Sequence, residues 1–314
     1  MENQRQETPT LENTFAFPGR AGDAERAGAW GGELCDDEGA RDFAPHLEYA
    51  LRCLRAGEHE RAVEVCNSLL HARGLPPGLV EKVIASRALS LEALYPKVTR
   101  PPERDNKIKV CVPFHNPGPR LDACVMSLLY QEYQKFEVVF IDDASADGSH
   151  ARIPQGDARV TLIRNETRQG RGVSLRRCVE SLCEPEDVVF PLDGSHRLAY
   201  CDALKTVNDF FNSYDCSVMY GQYRYASGAL GLTVPLVTRA TFDALREAGH
   251  APTPFIFRAR AYQEALAEDT GPRSARVWRG DAQDESEWHA LCYALLEKSG
   301  ARSSRFSDHI LAVV

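Results

Sequence analysis

The sequence predicts an α/β protein: a mostly parallel sheet with helices on both faces, preceded by a small helical module. Three observations predict it. From residue 107 onward, short β-runs alternate with segments of helical spacing, the order that crossover-connected parallel strands produce. Three of the strand ends carry polar motifs, Pro113 to Pro117 (PFHNP), Asp142 with Asp143, and Asp193 to His196 (DGSH). The charged, proline-rich stretch YPKVTRPPERDNK separates this pattern from purely helical periodicity before it, and prolines at that density suit a linker.

Taken in order, residues 1–43 mix Glu, Gly, Ala, Arg and Pro without a sustained period and read as a flexible leader. Leu47, Leu51 and Leu54 then mark an apolar helical stripe, Gly57 breaks it, and Ala62, Val65, Cys66, Leu69 and Leu70 mark a second. A third helix, Gly78 to Tyr95, follows Pro76 and Pro77, which suit a helix start. These segments form a helical module over 44–97, followed by a linker over 98–106. The main domain, 107–314, opens with KVCVPF as a strand, LDACVMSLLYQ as a helix and FEVVFIDD as a strand. VTLIRN, GVSLRRCVESL and VVFPLDG continue as strand, helix and strand.

Composition narrows the function. The chain has 314 residues, 43% of them hydrophobic, enough to bury a substantial core. Its formal net charge of -8 supplies no bulk attraction for a polyanion. No apolar run approaches the ~18 residues of a membrane span, and the start lacks a signal-peptide order, so a cytoplasmic location is expected. The 10 cysteines sit in apolar periodic segments without a CxxC pair, which predicts reduced packing cysteines and no structural zinc.

In an open α/β sheet, ligands bind beyond the carboxyl ends of the strands, where all three polar motifs fall. The run KVCVPFHNPGPRLDACVMSLLYQEYQKFEVVFIDDASADGS resembles the opening of glycosyltransferase family 2, nucleotide-sugar transferases with the Rossmann-like GT-A fold. The resemblance rests on Pro113, Asn116, Gln131, Tyr133, Phe136, Glu137, Asp142, Asp143, Ser145, Asp147 and Ser149. It continues through RQGRGVSLRR and VVFPLDGSH and fades after about residue 200. RAGEHERAVEVCNSLL is similar to the middle of a tetratricopeptide repeat, with one such unit visible.

What the resemblance implies is a transfer from a nucleoside diphosphate sugar, UDP-linked, to a hydroxyl acceptor with inversion. Pro113, Phe114, His115 and Asn116 then shape the nucleotide pocket, and Asp143 bonds the base or ribose, as a carboxylate suits paired donors. Asp142 either joins it or caps the following loop. Gly170, Arg171 and Arg176 flank the diphosphate, guanidinium forks suiting phosphate oxygens, and Asp193 and Gly194 belong to the same nucleotide-sugar site. His115 replaces a small or aromatic residue of the family and reads as a wall.

Where the family carries Asp-x-Asp for a divalent metal, Mn or Mg, this chain has Asp193, Ser195 and His196. Three readings stay open: His196 completes an altered metal site, arginine neutralises the diphosphate, or activity is lost. The general base is expected near the opening of a late helix, GDAQDESEWHALCYALLEKSG. Aligned there, Glu287 meets the family's Glu and Trp288 stands where its Asp is expected, leaving Asp284, Glu287 and Asp281 as candidates. Acidic residues also favour a helix N-terminus without any chemistry. Tyr220, Tyr223 and Tyr225 suggest a half-buried strand, and Arg258 and Arg260 in TPFIFRARAY either contact an anionic acceptor or belong to a surface strand. Ser195 and Trp288 also support a second class, a pseudo-enzyme that binds a nucleotide sugar or a partner. A transferase for a peptide or modified-DNA acceptor, held by the helical module, is a third.

Overall fold

The computed structural model describes residues 43–72, 74–98, 104–231, 233–248, 251–267 and 285–314; at 266–267, 285–287 and 301–302 it describes the backbone alone. The chain divides into two compact units, Met1–Leu91 with Thr238–Ala248, and Glu92–Val237 with Gly249–Val314.

In the first unit, α1 (Ala44–Ala56) and α2 (His59–His71) form the expected hairpin, and α3 (Pro77–Leu94) begins in it. Gly57 adopts φ 79°, and its N–H closes α1 on the carbonyls of Cys53 and Leu54, a left-handed C-terminal stop that glycine reaches without strain. The buried stripe of α1 is Leu47, Ala50 and Cys53, not Leu47, Leu51 and Leu54. Small side chains at 50 and 53 let the helices approach, and Leu51 is left half-buried at the margin. Between α3 and α2, Arg87 is 2% exposed and donates to Asn67 Oδ1 at 3.1 Å. A buried guanidinium needs such a partner.

The second unit is built on an eight-stranded sheet. Its strands are β1 (Ile108–Phe114), β2 (Phe136–Asp142), β3 (Val160–Arg164), β4 (Val188–Pro191), β5 (Arg197–Leu198), β6 (Val218–Arg224), β7 (Phe255–Arg258) and β8 (Ser304–Val313). The helices are α4 (Arg120–Leu129), α5 (Arg171–Leu182), α6 (Ala203–Ser213), α8 (Ala259–Ala267) and α9 (Glu285–Ser303), while α7 (Arg239–Glu247) belongs to the first unit. The spatial order is β3-β2-β1-β4-β7-β6-β8-β5. β1 pairs in parallel with β2 and β4, and β2 with β3, while β7 runs antiparallel to both β4 and β6.

Helices cover both faces, as strand parity shows. Ile108, Val110, Val112 and Phe114 join one cluster with Leu121, Cys124, Val125 and Leu128 of α4. On the opposite face, Cys111 is disulfide-bonded to Cys178 of α5. That bond departs from the expectation of reduced cysteines: a β1 side chain pointing away from α4 meets the helix that crosses the other face. Cys53, Cys124, Cys216 and Cys292 are buried thiols outside any disulfide, as packing residues are.

β7 corrects a second expectation. FIFR is not a surface strand, because Phe255, Ile256 and Phe257 are at most 1% exposed between β4 and β6. β8, closing the chain beside β6, has no counterpart in the periodicity reading.

Two residues of the motif run are structural. Gln131 donates to the carbonyls of Ser127 and Tyr200 and accepts from Leu204 N–H at 3.0 Å, tying α4 to the start of α6. Tyr133 Oη donates to Asn106 O at 2.6 Å, inside a network where Asn106 also donates to Asn208 and Asn212. Tyr133→Phe would leave a buried carbonyl short of a donor, so urea unfolding should show a loss of about 1–2 kcal/mol.

Candidate functional site

The strand order creates the site. From β1 the chain moves outward to β2 and β3, then returns through α5 to β4 on the other side of β1. The loops after β1 and β4 therefore part in opposite directions and leave a crevice at their carboxyl ends. Backbone bonds hold that edge together: Leu192 N–H donates to Cys111 O at 2.9 Å, Gly194 N–H to Pro113 O at 3.1 Å and Asp143 N–H to Phe114 O at 2.9 Å.

A cavity of about 540 Å³ opens here, lined by Pro113, Phe114, His115, Asn116, Asp143, Gly170, Arg171, Asp193 and Ser195 among others. Nine expected residues thus converge. A second cavity, of about 220 Å³, adjoins it and shares Arg171 and Asp193. Its wall adds His196, Tyr223, Tyr225, Phe255, Trp288 and His289.

Asp142 and Asp143 divide the two roles left open. Asp142 is fully buried and lines neither cavity; its Oδ1 accepts from Ser145 N–H at 2.8 Å and its Oδ2 from Arg164 Nε at 3.2 Å. It anchors the loop. Asp143 faces the larger cavity, with Oδ1 accepting from Asn165 Nδ2 and Gln169 N–H and Oδ2 from Gly170 N–H, each at 2.8 Å. Three of its roughly four acceptor positions are filled from within the chain, which leaves one for a ligand.

Asn116 acts as a staple. It sits at φ 49°, a left-handed conformation that Asn tolerates, and its Oδ1 accepts from the N–H of Ala146 and Asp147. In return Asp147 Oδ2 accepts from Gly118 N–H at 2.9 Å. The PFHNP and DDASADGS loops thus fix each other, while His115 Nδ1 lies 2.8 Å from Asp143 O as part of the wall.

Opposite them, Asp193 Oδ1 accepts from both Ser195 N–H at 2.8 Å and Ser195 Oγ at 2.6 Å. Burial opposes its ionisation, but the Ser195 hydroxyl, then the Arg171 guanidinium, outweigh burial and hold the carboxyl below the usual range. Gly194 is required in this turn, since a Cβ would lie 2.5 Å from Phe114 Cβ.

For a metal, the local donors are the Asp193 carboxylate, with one oxygen taken by Ser195, and the His196 imidazole. That set fits a hard cation completed by substrate phosphates and water, as Mg often is. Among the described residues no three His, Cys, Asp or Glu side chains converge to hold a metal alone.

Other expectations are redirected. Arg176 lines neither cavity, being more than one turn along α5 from its N-terminus. Arg120 and Arg168 line the larger cavity instead, and Arg168 lies within the RQGRG segment without having been singled out. Arg258 and Arg260 stand at the other end of β4, where Arg258 pairs across from Val188 and Arg260 bonds Glu186 at 2.9 Å. They serve that edge. Asp281 and Asp284 lie outside the described residues, as does the Glu287 side chain, whose backbone is in the first turn of α9. His289 joins the wall of the smaller cavity one residue after Trp288 and carries no motif that marks it in the sequence.

A crevice at a point where the strand order reverses, with guanidiniums and a helix N-terminus on its wall, lies where open α/β sheets bind ligands. Residues 109–231 match the family described as Glycosyl transferase family 2. The chain is 38% identical over 77 residues to "Uncharacterized protein MT1568" of Mycobacterium tuberculosis (strain CDC 1551 / Oshkosh), covering 23% of each. Among solved structures it is similar to S. aureus TarS 1-349, with a TM-score of 0.49 and 17% identity over 66% of this chain and 60% of that one. That protein has also been solved in complex with UDP-GlcNAc. A mannosyltransferase from Pyrobaculum calidifontis, in complex with GDP-Man and Mn2+, has a TM-score of 0.47 and 14% identity over 86% of this chain and 68% of its own. No helix among the described residues is long and apolar enough to cross a membrane.

Two outcomes follow from the geometry. Gly194→Ala should lower thermal stability by about 1–3 kcal/mol, the usual cost of overpacking. Asp193 adds stability above about pH 4 that disappears as pH falls through its depressed folded value. The stability gap between the wild type and Asp193→Asn, measured by urea unfolding, should therefore narrow from pH 5 to pH 2.

Proposed function

We propose that this protein is an inverting glycosyltransferase that moves a sugar from a nucleoside diphosphate sugar, UDP-linked, to a hydroxyl acceptor. The observation that carries this reading is the 540 Å³ cavity at the β1–β4 switch point, where Asp143, Arg171 and Asp193 share one wall. The nucleoside lies against Pro113–Asn116 and Asp143. The diphosphate lies toward the start of α5, where Arg171 and Arg168 supply charge and the first-turn N–H groups of the helix add donors. The sugar and acceptor extend toward the second cavity, whose Tyr223, Tyr225 and Trp288 rings offer faces to sugar C–H groups.

The acceptor oxygen attacks the anomeric carbon opposite the diphosphate, the glycosidic C–O bond to phosphate breaks, and a carboxylate takes the acceptor proton. Asp284 and Glu287, then Asp281, are the candidates for that base. Asp193 with His196 would hold Mn or Mg, which when bound neutralises charge developing on the diphosphate. We place the protein in the cytoplasm, with 44–97 as a helical module, 98–106 as a linker and 107–314 as the catalytic domain.

Two observations favour a second reading, a nucleotide-sugar-binding or partner-binding scaffold without turnover. Ser195 occupies one oxygen of Asp193, and Trp288 puts an indole at the second cavity where a carboxylate would be needed for base catalysis.

Calorimetric titration with UDP, GDP and a panel of UDP-sugars, with and without Mn, separates these readings. A transferase binds a UDP-sugar, binds it more tightly with Mn, loses that gain in Asp193→Ala and hydrolyses the donor slowly. Metal-independent binding without turnover identifies the scaffold, and no nucleotide binding at all removes the donor assignment.

A further inference from the structure

Arg171 is placed in an unusual electrostatic setting. It opens α5, lines both cavities, and its Nε is buried without a hydrogen-bond partner. No ion pair engages it among the described residues, although its charge lowers the Asp193 carboxyl. Its guanidinium carbon instead lies 4.9 Å from the centroid of the Trp288 ring. Trp288 is 5% exposed and is itself held edge-on by Phe255 of β7, with centroids 6.0 Å apart at 89°. A guanidinium over an indole face is attracted by the ring quadrupole, and the ring uses none of its N–H donors. A carboxylate partner would occupy those donors and cancel the charge.

Resting on the transferase reading, we propose that Trp288 is a positioning residue: its indole holds the Arg171 guanidinium at the wall shared by the two cavities, with its donors kept for an incoming diphosphate. The chain of support runs from Phe255 in the sheet to Trp288 on α9 and then to Arg171 on α5. The residue that departs most from the expected acidic pattern then has a task in binding, as the platform beneath the cation that meets the leaving group. The site consequently receives a diphosphate through arginine even without a metal.

The test compares the wild type, Trp288→Leu and Trp288→Phe, each titrated with UDP and with uridine in EDTA. Leucine keeps apolar bulk but has no π face, whereas phenylalanine keeps the face. UDP affinity should fall about tenfold in Trp288→Leu and less than about threefold in Trp288→Phe, with uridine affinity unchanged in both. Thermal unfolding midpoints identify any variant that fails to fold. If the leucine variant fails to fold, Trp288→Met takes its place with the same expectation.

Equal UDP affinities in the leucine and phenylalanine variants, or a parallel fall for uridine, would overturn the proposal by showing that the ring only packs. Wild-type UDP binding that requires Mn would overturn it too, since Arg171 would not suffice. Failure of UDP to bind the wild type under either condition is a different result and removes the transferase reading beneath it.

Discussion

Everything at the ligand-facing edge depends on how the Asp143 carboxylate is used. Buried at 4% exposure, it would be costly there without donors, and it obtains three from residues 165, 169 and 170. Those bonds draw the segment between β3 and α5 back across the end of β2. Gly170 then turns at φ 87° into the helix, so the first residue of α5, Arg171, emerges beside β1 and β4. Underneath, Leu175, Cys178 and Val179 are buried along α5, and Cys178 is bonded to Cys111. A side chain that reads from the sequence as a ligand contact is also the fastener that brings the main cation into place.

The same edge explains why function and structural charge separate so cleanly along β4. At its carboxyl end, Gly194 packs against Phe114, and the turn presents Asp193 and Ser195 to the larger cavity. At its amino end, β7 runs antiparallel, so Arg258 arrives beside Val188, with its guanidinium 5.0 Å from the Phe211 ring centroid. Burial lowers the pKa of this guanidinium despite Glu186 nearby, and Asn106 and the Glu186 carbonyl give it acceptors. A strand's two ends lie on opposite edges of the sheet, and only one of them opens on the crevice.

Much of this was legible because buried parallel strands read as continuous apolar runs, and the runs at 108–114, 136–142 and 188–191 do so. Parity alone does not separate the two aspartates, because Asp142 is in register with Phe114, which lines the larger cavity; its burial by Ser145 and Arg164 does. Arg176 was misplaced for a reason of helical geometry. Five residues beyond Arg171, it is about 7.5 Å further along the axis and rotated by about 140°, so both cannot face one phosphate. β7 was hidden by its neighbours, because two arginines directly after an apolar triplet imitate an exposed edge. The aromatic wall drawn from β6, β7 and α9 was less accessible still. It depends on long-range pairing that local periodicity does not encode.

Charge at the shared wall of the two cavities follows from what each group already spends. Asp193 stays ionised with one oxygen given to Ser195, so it retains acceptor capacity on the other. Arg171 rests on an aromatic face and retains its donors. A cation and an anion on one wall can pair and lose their use to a ligand, yet here each is held by a different neighbour. Trp288 restrains the arginine and Ser195 restrains the aspartate. The wall therefore keeps an acceptor for hydroxyl groups and a donor for phosphate oxygens side by side, and the serine and tryptophan that break the expected acidic pattern are the two residues that keep them apart.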